Sequence, residues 1–429
     1  MPVTHRIPGL LLTDHEFHVP IDHAQPDGAP LTVFAREVVA LNKVQAELPW
    51  LIFFQGGPGY GAPRPIDATV PSWIGRATKD YRVLLLDQRG TGRSSPIGFQ
   101  SLARFRSPQE QADYLKLFRA DNIVRDAEWI RREMQIDRWS VLGQSFGGFC
   151  VTTYLSLAPE GLREAFITGG LPPIDHHADD VYRATYPRVR EKNRLYFERY
   201  PDDVQRLRDI VDYLLQHEVQ LPCGDRLTPQ RVQQLGMSFG MSDGFEPVHY
   251  LLEEAFIDGA YGKEISYTFL RGIENAQYFD TNPIYAVLHE PCYAEGTACN
   301  WSAERVRAQF PEFAITADRP VLFTGEMIYP WMLDDYRALR PLKEAAHLLA
   351  QFDGWPRLYH QEVLRENTVP VAAAMYYNDM YIDRLLSEET ASFIKGIRVW
   401  ATSEYEHNGL RANGEKILGR LIDLVHGAI

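Results

Sequence analysis

Ser145 sits in Gly143-Gln144-Ser145-Phe146-Gly147-Gly148, a G-x-S-x-G pentapeptide with one further glycine. An apolar run, Trp139 to Leu142, precedes it, and a helix-compatible stretch, FCVTTYLSLAP, follows. That strand–turn–helix setting presents a serine hydroxyl on a sharp turn, and small residues at 143 and 147 let the turn pack closely. The pentapeptide alone is weak, since roughly 0.15 matches arise by chance in a chain this long. Its chemistry would be attack on an acyl carbon, which needs backbone N–H donors where the oxyanion develops. Gln55-Gly56-Gly57-Pro58-Gly59 leaves an earlier apolar run. Pro58 has no N–H, so Gly57 is the expected donor from this loop. Phe146, directly after the nucleophile, is the expected second donor.

A serine nucleophile needs a base and a group that orients the base, here expected in the order Ser, Asp, His. VPVAAAMYY runs into Asn378-Asp379, which puts Asp379 at the C-terminal edge of a buried strand; Asp383 falls in the following helix. Only His407 and His426 lie beyond. His426 is in the last helix, three residues from the end, whereas His407 follows the strand IRVWAT in a loop. Asp379 and His407 are therefore the expected partners of Ser145.

The elements around these residues alternate. Apolar runs at 31–41, 49–54, 81–87, 139–144 and 164–170 form one block, and 319–325, 369–377 and 397–402 a second. Several are apolar on both faces, as strands of a covered parallel sheet must be. Helical spacing appears at 109–120, 122–135, 341–352 and 414–426, the last with Ile417, Leu418, Leu421, Ile422 and Val425 on one stripe. The expected fold is an α/β core, a mostly parallel sheet flanked by helices, in two parts, 1–172 and 316–429. Residues 173–315 interrupt it and read as a mostly helical insertion, with Thr228-Pro229 as an N-cap and first-turn proline.

Composition narrows the function classes. The chain has 429 residues and a net charge of −13. That acidity argues against binding nucleic acid through its phosphates. Four cysteines show neither a disulfide framework nor zinc spacing. The N-terminus has no cleavable apolar segment, and the apolar runs fall short of a membrane span. A soluble cytoplasmic protein without membrane or nucleic-acid partners is expected.

Together the QGGPG loop, DQRGTGRS (Asp87 to Ser94), GQSFGG, the NDMY aspartate and the EHNG histidine resemble the proline iminopeptidase family of α/β-hydrolases, in its larger-chain branch with an enlarged cap. Gln55 departs from the family's usual HGGPG. DQRGTGRS reads as a structural loop. The resemblance implies a serine aminopeptidase that releases an N-terminal residue, proline above all, from peptides with a free N-terminus, and needs no cofactor or metal. Discriminating a free ammonium from an amide calls for buried carboxylates in the pocket. Glu274, in a segment resembling the family's IENHYF, is the first candidate, Glu290 in IYAVLHEPCY the second, and Glu326 in VLFTGEMIYPW the third. Cap aromatics (Tyr278, Phe279, Tyr285, Tyr293, Trp301) could form the proline slot. Two rivals stay open: another hydrolase on this scaffold (an esterase, an amidase, or an aminopeptidase of different specificity) and a non-catalytic binding protein. Glu274 and Glu290 both facing solvent away from Ser145 would sharply weaken the aminopeptidase reading.

Overall fold

The computed structural model describes residues 3–260 and 262–429. Among them β1 (Val3–Ile7), β2 (Leu10–Pro20), β3 (Pro30–Ala40), β4 (Trp50–Phe54), β5 (Arg82–Leu86), β6 (Trp139–Gln144), β7 (Leu162–Thr168), β8 (Val371–Tyr376) and β9 (Arg398–Thr402) build one sheet. Their spatial order is β1-β2-β3-β5-β4-β6-β7-β8-β9. The pairings from β5 to β9 are parallel, and those joining β1, β2, β3 and β5 are antiparallel.

Both faces of the parallel part are covered, which explains its continuous apolar runs. Leu51, Phe53, Val83 and Leu85 pack on one face with Ile417, Leu418, Leu421 and Ile422 of the final helix, Gly414–His426. Ile52, Phe54, Leu84 and Leu86 pack on the other with Val151 and Leu155 of the helix Phe146–Leu157. Adjacent residues on a strand thus feed two different cores.

Residues between β7 and β8 lie outside this sheet. They hold the helices Ala178–Arg199 and Asp203–Gln216, several shorter helices and two small hairpins. Thr228 accepts a hydrogen bond from the Arg231 N–H at 3.3 Å, with Pro229 as the first helical residue. One expected strand is corrected. Residues 319–325 are extended but join no ladder. Their backbone is satisfied by the cap instead: Asn193 brackets Phe323, donating to its carbonyl at 3.0 Å and accepting from its N–H at 2.8 Å. Gln233 does the same for Leu322 and Thr324, at 2.7 and 2.8 Å. The sheet resumes only at Val371, well beyond the expected boundary near 316. No helix among the described residues is long and apolar enough to cross a membrane.

The turn at Ser145 depends on its glycines. A Cβ on Gly147 would lie 2.0 Å from the Phe54 carbonyl oxygen, and one on Gly148 would lie 2.4 Å from the Gly170 oxygen. Gly147→Ala is therefore expected to cost at least about 2–3 kcal/mol, because backbone cannot step aside as a side chain can. Gly98→Ala, where a Cβ meets open space, should stay within about 0.5 kcal/mol. Urea unfolding of both variants checks the contrast.

Candidate active site

β6 ends at Gln144, and the helix Phe146–Leu157 begins immediately. Ser145 between them has φ 56° and ψ −127°, a conformation that a non-glycine residue adopts only when its surroundings impose it. The Ser145 N–H donates to the Thr168 carbonyl at 2.9 Å, and its carbonyl accepts from Gly148 N at 2.7 Å. The serine is mostly buried and faces a cavity of about 230 Å³.

His407 borders the same cavity. Its Nδ1 lies 2.7 Å from Asp379 Oδ2. Asp379 Oδ1 accepts from the N–H groups of Tyr381 at 2.8 Å and Ile382 at 3.1 Å, so the carboxylate is locked before it meets the histidine. Burial opposes an imidazolium at His407, but the charge and hydrogen bond of Asp379, helped by Glu326, outweigh it and raise the pKa overall. The competing groups are engaged elsewhere. Asp383 caps the helix Arg384–Phe393 and accepts from Arg188, and His426 pairs with Glu164 at 3.0 Å.

Gly56 passes directly over the serine, and Gly57 lines the same cavity. A Cβ on Gly56 would lie 2.9 Å from the Ser145 Cβ, and Gly57 has φ +133°. Phe146 opens its helix, so its N–H stands outside the helical ladder at the positive end of the dipole. The DQRGTGRS segment holds this loop from below. Buried Asp87 accepts from Ala62 N at 2.9 Å, Arg93 N at 2.8 Å and the Arg64 guanidinium, and Gln88 donates to the Gln55 carbonyl at 3.1 Å. Arg89 is fully buried against Asp126 at 2.5 and 2.7 Å.

Glu326 is the only acidic side chain lining the cavity among the described residues. Its Oε1 accepts from the Tyr285 hydroxyl at 2.6 Å. Burial pushes its carboxyl up to about 7, against the pull of His407 and of that hydroxyl. Tyr60, Tyr278 and Tyr285 form the aromatic wall, with edge-to-face contacts at 5.6 and 6.1 Å. Tyr381 stands edge-on to the His407 ring at 4.7 Å.

A family model for the alpha/beta hydrolase fold matches residues 49–237. A proline iminopeptidase from Aeromonas sobria is 50% identical over 99% of this chain and 98% of its own length. The chain belongs to the proline iminopeptidase family. A second member, proline iminopeptidase aneH from Aspergillus aculeatus, is 37% identical over 98% of this chain and 95% of its own. A solved esterase structure shares the fold with a TM-score of 0.50 at 10% identity, covering 96% of this chain and 100% of the other.

Within this family member the three glutamates separate. The structure brings only Glu326 to Ser145. Glu274 lies away from the cavity, accepting from Cys223 N at 2.7 Å and pairing with Arg271 three residues earlier. Glu290 is buried, not solvent-facing, but it too is committed elsewhere: it accepts from the N–H groups of Ser302 at 2.9 Å and Ala303 at 2.8 Å, at the start of the helix Ser302–Arg307. Burial pushes its carboxyl up to about 7. The first two choices from sequence thus stabilise the cap, and the third faces the serine. Of the five candidate cap aromatics, only Tyr278 and Tyr285 line the cavity. Tyr60 and Tyr381 went unread because they lie in loops without periodicity, although each directly follows a motif residue. Glu290→Ala should destabilise the protein by roughly 1–3 kcal/mol, since two buried N–H groups lose their acceptor. Glu274→Ala, at a partly exposed ion pair, should cost less than about 1 kcal/mol. Chemical denaturation midpoints of the two variants provide the check.

Proposed function

We propose that the chain is a serine aminopeptidase that releases an N-terminal residue, with proline preferred, from peptides through an acyl-enzyme. The observation that carries this reading is Glu326, a half-buried carboxyl in the same cavity as Ser145 and His407. A carboxyl poised near neutrality beside a nucleophile suits a cationic secondary amine, because the arriving ammonium stabilises its ionised form through a charge-assisted hydrogen bond. An acylated nitrogen brings no such charge. The Aeromonas sobria relative supports proline as the residue held, and the aromatic wall supplies an apolar face for its ring.

The geometry supports one mechanism. Nδ1–H of His407 donates to Asp379, which leaves Nε2 unprotonated to accept the Ser145 hydroxyl proton. Oγ bonds to the substrate carbonyl carbon, and the carbonyl oxygen, now anionic, accepts from the N–H groups of Gly57 and Phe146. Collapse breaks the C–N bond, and His407 returns the proton to the departing amine. Water, deprotonated by the same histidine, then releases the acyl group. The four unpaired cysteines (Cys150, Cys223, Cys292, Cys299) support a reducing, cytoplasmic setting for the reaction.

Ser145→Ala should lower kcat on a proline aryl-amide by at least about four orders of magnitude; near-normal turnover would sink the mechanism. Glu326→Gln should lower kcat/KM for free-amine substrates about 10- to 150-fold. The pH profile gives a second readout. His407 must be neutral to act, so its raised pKa places the acid limb of kcat/KM above the ordinary histidine value. Glu326 contributes to that rise, so Glu326→Gln should move the acid limb to lower pH. A limb that stays in place would contradict the coupling.

A further inference from the structure

A second cavity, of about 330 Å³, opens beside the first and belongs wholly to the cap. The two share three lining side chains, Met237, Met241 and Tyr278. Beyond that shared wall the second cavity is apolar, with Val248, Leu251 and Ala276 along it. Its polar members, Gln234, Ser238 and Asn275, are neutral, and no acidic or basic side chain lines it among the described residues. Gly272 lets two cap helices close on each other here, since a Cβ on it would lie 2.3 Å from Leu251 Cδ1.

We propose that this groove binds the side chain of the second residue of the peptide, the one that leaves with the new amine, and that it selects an apolar residue there. The inference rests on the aminopeptidase reading above. With the ammonium held at Glu326, the chain ends on that side, so the rest of the peptide must continue from the scissile carbonyl away from Glu326. The groove and the cavity of Ser145 meet at two methionines that line both, and unbranched thioether side chains adapt to varied apolar shapes. A charged side chain entering it would lose water without gaining a partner. The groove wall is also tied to the catalytic loop. The His407 N–H donates to the Gly240 carbonyl at 3.1 Å, and Asn408 accepts from Ser242 N at 3.0 Å. Occupying the groove therefore bears on the segment that carries the base.

The test compares kcat/KM for Pro-Leu-amide, Pro-Gly-amide, Pro-Lys-amide and Pro-Glu-amide, with prolinamide as the substrate lacking a second residue. Ratios between substrates on one preparation do not depend on how much of a variant is folded. The natural chain should prefer Pro-Leu-amide over Pro-Gly-amide by about tenfold or more. Ala276→Glu should collapse that ratio and favour Pro-Lys-amide over Pro-Glu-amide, and Ala276→Arg should reverse the charge preference. A leucine-to-glycine ratio near one in the natural chain, or ratios unmoved by both variants, would overturn the assignment while prolinamide is still cleaved. No release from prolinamide would overturn the aminopeptidase reading and the groove with it.

Discussion

The site depends on how closely backbone meets backbone around Ser145. The strand end, the helix start and the Gly56–Gly57 loop approach within distances that leave no room for a Cβ at Gly143, Gly147 or Gly148. That crowding holds the serine at a φ that it would not otherwise keep, and the surrounding core over-determines the turn. The same contact brings the loop carrying Gly57 over the hydroxyl. Presentation of Ser145 and placement of the proposed N–H donors, Gly57 and Phe146, would thus be one packing event. Asp87 and Gln88 hold that loop from the next strand, and Arg89 ties the same segment to Asp126, which gives DQRGTGRS a purpose without substrate contact.

Core and cap divide the remaining work. The parallel strands deliver Ser145, Asp379 and His407 from their C-terminal ends, where open α/β sheets place their ligands. The cap supplies Tyr278 and Tyr285 to the aromatic wall, the core loop supplies Tyr60, and the cap meets the histidine loop through Gly240. Glu326 comes from the extended segment that joins cap to core. Its backbone neighbours are held by Asn193 and Gln233 rather than by the sheet. A carboxyl so placed is desolvated and close to His407, which explains why both titrate away from their ordinary values.

What could be read from sequence follows the range of the forces involved. The doubly covered strands showed themselves because each of their residues meets a core. β2 did not, since His15, Glu16 and His18 interrupt its apolar positions on the antiparallel side of the sheet. Residues 319–325 look like a strand by composition, but the Asn193 side chain and the side chain and backbone carbonyl of Gln233, distant in sequence, take up their backbone hydrogen bonds. Asp379 and His407 were legible because a strand end and a following loop limit where a side chain can go. The glutamates were ranked by their apolar neighbours, which say nothing about direction. Arg271, three residues before Glu274 on one helix, was the available sign that this carboxylate already had a partner. No local signal marks Glu326, whose surroundings come from the cap and the histidine loop.

The central claim is that the Glu326 carboxylate, in the cavity that Ser145 faces, recognises a free amine. Comparing kcat/KM for a proline aryl-amide and its N-acetylated counterpart tests it most directly. Loss of the charged nitrogen should lower kcat/KM by at least about a hundredfold, because a buried polar group is left without its partner. Cleavage of the acetylated substrate at a similar rate would contradict the claim.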